Sequence, residues 1–260
     1  MRDHVLFQMW EPFRQSLIKG HLFYFDQAQK RLISQFEDIE AESEKASEEW
    51  LERSSDYFDP DRHDPGDFYE AANEAGIEFY SLLSEMRDQT CLSVVAGMFH
   101  EWDKQLRDWL VREIQHWHQG DMAAEKVWSA NFEQITKLLE SIGWTIVDTE
   151  YFRVIDACRL VVNVYKHGKG NSLNDLKQKY PKYLRDPLLL SGEYSQNIDI
   201  RDHNHLNVSK DQLQGFSDAI LEFWRAVPEN IYASQVTDVP DWFGKALKKD
   251  QTDQRQRNSK

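Results

Sequence analysis

Between Leu92 and Ile114 the residues Leu92, Val95, Met98, Phe99, Trp102, Leu106, Trp109, Leu110 and Ile114 recur at three- and four-residue steps. This is the period of an α-helix with one face turned to a core, and the two-residue repeat of a strand does not reproduce it. Eleven Gly and seven Pro in 260 residues leave few places where helices are forced to stop, while Glu, Gln, Lys, Leu and Ala are plentiful. The chain therefore reads as mostly α. Its hydrophobic residues, 40% of the total, are adequate for one substantial core with a helical extension.

From Glu11 to about Arg53 the composition is helical, and Pro60 and Pro65 in the acidic "DYFDPDRHDPGD" mark the best boundary. Residues 1–70 are expected to form an N-terminal helical arm and acidic loop, and 71–235 a helical bundle; 236–260, ending in the basic "KALKKDQTDQRQRNSK", are expected to be a flexible tail. Within the bundle, helices are expected from about Phe68 to His118 with a break near Asp88, from 121 to 143 with Gly143 as cap, and from about Glu150 to His167. Another covers "VSKDQLQGFSDAILEFWRAV" and stops before Pro228, and Asn171 to about Asn207 reads as short elements and loops with breaks at Pro181 and Pro187. The order of acids in the 56–67 loop does not match an EF-hand, so a solvated turn is expected there.

Net charge is -14, which argues against a general nucleic-acid coat, but it is unevenly spread. Residues 37–70 hold fourteen acids against three bases, net -11, whereas residues 151–185 hold eight bases against two acids, net +6. Cys91 and Cys158 lie in apolar, helical surroundings without metal-ligand or CxxC spacing, as buried thiols of a reducing compartment do. With no signal-peptide core and no run of transmembrane length, a cytoplasmic protein with no membrane partner is expected.

The basic island contains the stretch "CRLVVNVYKHGKGN", Cys158 to Asn171. On a helical wheel with Arg159 at zero, Lys166 falls near -20°, Asn163 near 40°, Asp156 near 60°, His167 near 80° and Arg153 near 120°, at about 100° per residue. Val154, Ile155, Ala157, Cys158, Val161, Val162, Val164 and Tyr165 fill the other arc, so most of this helix is expected to be buried. Its polar face offers two guanidiniums, an ammonium, an amide and an imidazole: phosphate ligands plus a group that titrates near neutrality. An ordinary solvated face is the plainer alternative, and the helix dipole alone favours Lys166 and His167 in the last turn.

Asn163 and His167 give this helix a resemblance to the HEPN superfamily. These all-α bundles include many metal-independent ribonucleases of toxin and antiviral systems, and their signature is an Arg separated from a His by four to six residues, often with Asn directly after the Arg. Here the Asn-to-His part matches, Val162 stands in the usual Arg place, and Arg159 lies one turn earlier. "RLVVNVYKHGKGNSLNDLKQKYP" is similar to a HEPN-like subgroup with an Arg, then N..KHG.G and a later Pro, and "FHEWDKQLRDWLVREI" resembles the subgroup's preceding core helix. The resemblance covers residues 75–227 and leaves 1–70 unexplained.

It implies an all-α HEPN-like bundle with an N-terminal extension, acting without metal or cofactor as an endoribonuclease of toxin or antiphage-defence type. His167 would take the proton from a ribose 2'-OH, leaving a 2',3'-cyclic phosphate. Arg159 and Lys166 would stabilise the scissile phosphate and Asn163 would position an oxygen, with Arg153, Asp156 and Lys169 completing the substrate-binding set. A homodimer in which motif helices meet, and an antitoxin or defence-system partner, are implied as well. One alternative is a non-catalytic HEPN module binding nucleotide, RNA or a partner protein; another is an acidic adaptor whose polar stripe docks on the acidic arm.

Two further sets of residues offer rival chemistry. Arg112 and His118, with five residues between them, fit the family spacing but lie about 120° apart on the wheel, while His116 shares the face of Arg112. That end of the helix reads as structural, or as an auxiliary RNA contact. "RDHNHLN" contributes Asp202, His203 and His205 without a third strong metal ligand, and reads as a loop. Nine tryptophans invite base stacking, but Trp102, Trp109 and Trp224 fall on core stripes.

Overall fold

The computed structural model describes residues 3–186 and 200–258. It is an all-α fold, with a single two-stranded ribbon among the described residues. Its axis is α3 (Pro65–Trp117), one continuous helix of 53 residues. Asp64 caps it by accepting the Gly66 N–H at 2.8 Å, and Pro65 supplies a first turn that needs no donor. The break expected near Asp88 is absent. No proline interrupts the run, and Asp88 instead turns outward to pair with Arg87 and, at 2.7 Å, with Arg185.

The two halves of α3 have different partners. From Cys91 onward its apolar stripe is the core: Val95, Met98, Trp102, Leu106, Trp109, Leu110 and Ile114 are all buried. Before that, α3 runs beside α2 (Ile39–Ser55), and the close approach is set at Gly76, where a Cβ would sit 2.1 Å from Ser47 Oγ. Trp50 and Phe68 meet edge to face nearby, their ring centres 6.0 Å apart.

The division expected at residue 70 is not a core boundary. β1 (Val5–Gln8) pairs antiparallel with β2 (Asn230–Tyr232), and α1 (Glu11–Arg31) packs on α8 (Lys210–Ala226), so Phe7, Met9, Leu17, Ile18 and Phe25 belong to the same core as α3. Arg14 is buried and its Nη1 donates to the carbonyls of Trp224, Arg225 and Val227 at 2.7–3.0 Å, closing the C-terminus of α8. Among the described residues, α2 and the first half of α3 stand beside the bundle rather than inside it.

Two other expectations are corrected. Residues 121–143 form two helices, α4 (Met122–Ser129) and α5 (Phe132–Ser141), because Asn131 and Gln134 build a reciprocal capping box that starts a new helix. The C-terminal stretch is not a frayed tail: α9 (Asp241–Asn258) packs on α4 and buries Phe243, Ala246 and Asp250. The motif helix α6 (Glu150–His167) has the bounds read from the sequence, and α7 (Asn171–Lys179) adds a helix where short elements and loops were expected. Pro187 lies outside the described residues.

Candidate functional site

α6 starts at Thr149, whose Oγ1 accepts the Phe152 N–H at 3.3 Å, and stops at Gly168, whose φ of +68° is a conformation that favours glycine. A side chain there would also press on the His203 ring, 3.3 Å from its Cδ2. Ile155, Cys158, Leu160, Val161, Val162 and Val164 are buried against α3 and α8, as an apolar arc of this width requires. Tyr165 departs from that arc: it is half in solvent and its hydroxyl is 2.9 Å from Ser93 Oγ on α3.

The polar face divides into two groups that face different ways. Arg159 donates from Nε and Nη2 to Asp156 Oδ1 at 3.0 and 2.7 Å, while Tyr180 donates its hydroxyl to Asp156 Oδ2 at 3.1 Å. The guanidinium also lies 5.1 Å from the ring centre of Phe132. Helical side chains lean toward the N-terminus, so Arg159 follows its own tilt back to Asp156. Burial, and then the charge and hydrogen bond of Asp156, raise the Tyr180 hydroxyl to about 12, keeping it a donor at neutral pH. Arg153 makes only a surface pair with Glu150 at 3.6 Å.

The second group sits at the other end. Asn163 is half-buried, and Lys166, His167 and Lys169 are exposed. None of the four has a partner among the described residues. His167 is eight residues beyond Arg159, about 12 Å along the axis at 1.5 Å per residue, and the guanidinium leans the opposite way. The expected convergence of Arg159 and His167 on one phosphate is therefore not present in this arrangement. A cavity of about 510 Å³ beside this helix end is lined by Val164 and Tyr165 together with Asp88, Arg185 and His203, and neither Arg159 nor His167 borders it.

The rival residues also separate. His118 is buried and its Nε2 lies 3.0 Å from Asp250 Oδ2, linking α3 to α9. Arg112 instead donates to Glu113 and lies over the Phe13 ring at 4.0 Å, with His116 Nδ1 3.6 Å from the same carboxylate. Glu113 neutralises Arg112 from the adjacent position in sequence, whereas Phe132 and Tyr180 were not singled out by sequence reasoning. Those two come from other elements, and no spacing rule links them to the Arg159–Asp156 pair they adjoin. Asp202 and His205 cap a short 3-10 turn, with Asp202 accepting the Asn204 N–H at 2.9 Å. Among the described residues no group of three or more His, Cys, Asp or Glu is placed to hold a metal ion. Cys91 and Cys158 are free and buried, and burial raises both thiols.

The class defined by these features is an all-α protein built on one long helix, with a short buried helix presenting a basic, amide- and imidazole-bearing end to solvent. Among the described residues no helix is long and apolar enough to cross a membrane. Comparison with known proteins adds no family to that class: no family model, no curated protein and no solved structure matches the chain.

Proposed function

We propose that this chain is a non-cleaving, HEPN-like module that binds RNA through the C-terminal end of α6. The observation that carries this reading is the split of the polar face. Arg159 is occupied by Asp156, while Asn163, Lys166, His167 and Lys169 are without partners among the described residues. Phosphate attraction by cations needs no convergence on a single atom, whereas general-base cleavage needs an imidazole and a charge-stabilising group at the same phosphate. The island of net +6 supplies the local field that a chain of net -14 otherwise lacks.

The test is incubation with a labelled structured RNA in EDTA, following binding and product ends together. Binding is expected without 2',3'-cyclic phosphate products. It should weaken as salt rises, and each of Lys166→Ala and Lys169→Ala should lower the salt slope by about 1. Cleavage that vanishes in His167→Ala would instead support an endoribonuclease whose Arg159 swings away from Asp156. A folded protein with no RNA affinity would overturn both.

A further inference from the structure

A second cavity, of about 480 Å³, opens between the start of α1 and the last turns of α3. Gln8, Trp10, Phe13, Arg112, Glu113 and His116 line it. Its floor is built around Glu113, whose side chain is only 6% exposed. That carboxylate accepts the Gln8 N–H at 3.0 Å and Arg112 Nε at 3.2 Å, and faces His116 Nδ1 at 3.6 Å. Two carboxylate oxygens offer about four acceptor positions, and the Gln8 and Arg112 bonds take two of them.

The groups at the rim are not used up by this arrangement. Arg112 bonds through Nε alone, so its Nη groups are donors without partners among the described residues. With Nδ1 of His116 turned to Glu113, Nε2 on the far side of the ring faces outward, and this imidazole is 67% exposed. Trp10 stands at the mouth with 65% of its surface in water, in contrast to the fully packed Trp102, Trp109 and Trp224. The strand end that carries it is held in place, because Trp109 Nε1 donates to the Gln8 carbonyl at 3.0 Å.

We infer that this cavity is a nucleotide site, with the base stacked on Trp10 and the phosphate held by Arg112, joined by His116 Nε2 when that ring is protonated. A stacking surface accepts any flat ring, but the remaining acceptor capacity of Glu113 favours one with edge N–H groups. The free guanidinium donors of Arg112 select a ring that carries an anion. An uncharged aromatic side chain of a peptide would use the stacking surface and leave those donors without a partner. The volume lies within the range of small-molecule sites, about 300–1,000 Å³. The site is remote from the RNA-binding end of α6: His116 lies 23 residues past Ser93, which touches Tyr165 at that end, about 35 Å along α3. The inference therefore stands apart from the proposed function.

Calorimetric titration of the full chain with AMP, GMP, CMP and UMP, and with the matching nucleosides, tests it. Saturable binding of at least one nucleotide is expected. Trp10→Ala should weaken it about tenfold or more, as loss of a base-aromatic stack does. Arg112→Gln should abolish the preference for nucleotide over nucleoside while leaving nucleoside affinity in place. Both side chains lie at the surface, and circular dichroism checks that each variant folds. The inference falls if no nucleotide binds, if Trp10→Ala binds normally, if inorganic phosphate alone binds equally well, or if tryptophan amide binds where nucleotides do not. Failure of RNA to bind at α6 would leave these readings unchanged.

Discussion

Arg159 looks like an available cation in the sequence, and the fold commits it as it does Arg14 and Arg107. Arg14 closes the last carbonyls of α8, and Arg107 does the same for α4, donating to the carbonyls of Val127 and Ala130 at 2.7 and 2.8 Å while pairing with Asp103. Arg159 is taken by Asp156. A guanidinium withdrawn from water is tolerated only with acceptors around it, so burial decides which arginines remain for a ligand. The same rule governs His21, buried between α1 and α8 with Nε2 2.9 Å from Ser217 Oγ. Burial lowers its pKa from 6.5 to about 4, because the charged ring would lose its hydration. The depressed folded value means that stability is fully present above pH 6.5 and is lost as pH falls toward 4. Urea unfolding at pH 7 and at pH 4.5 should differ by about 2–3 kcal/mol more in the native chain than in His21→Gln. Equal pH dependence in the two proteins would remove His21 as the cause.

Among the elements, α9 departs furthest from the flexible tail that its composition suggests. Phe243, Ala246 and Asp250 lie at i, i+3 and i+7, a helical face that the surrounding bases obscured because its last member is a carboxylate. Asp250 accepts the N–H groups of Met122 and Ala123 at 3.0 Å and lies 3.0 Å from His118 Nε2. It thus caps α4 from a distant helix, where a negative charge at a helix start is favourable. Gly120, with φ of +126°, lets the chain pass beside it, since any Cβ there would fall 2.4 Å from the Asp250 carboxyl. Asp250→Ala should cost about 3 kcal/mol, combining a lost cap with an unpaired buried imidazole, as read by chemical denaturation. A change below about 0.5 kcal/mol would mean that the cap is solvated instead. By contrast α6 was legible end to end. Its start signal, apolar arc and glycine stop are all local, and local signals survive without knowledge of the fold.

For the whole molecule, the uneven burial along α3 predicts uneven stability. Between Ile39 and Glu85 only Ile39, Ala72 and Gly76 are buried, whereas from Cys91 onward the helix crosses the core. Amide exchange should therefore be faster in the α2–α3 hairpin than in α3 beyond Cys91, even though the helix is continuous. Mass-spectrometric exchange showing uniform protection along α3 would contradict this. What the sequence determined by itself was the class and the chemistry on offer. Periodicity and the scarcity of breakers require packed helices, and the residue types on α6 require a cationic, amide-bearing face. What only the tertiary structure decided was which of those side chains remain available. Asp156, itself bonded by Tyr180, holds Arg159, Asp250 holds His118, and Glu113 draws Arg112 and His116 to one cavity. The physical reason is that pattern is a property of neighbours along the chain, whereas desolvation and pairing depend on what the fold brings alongside.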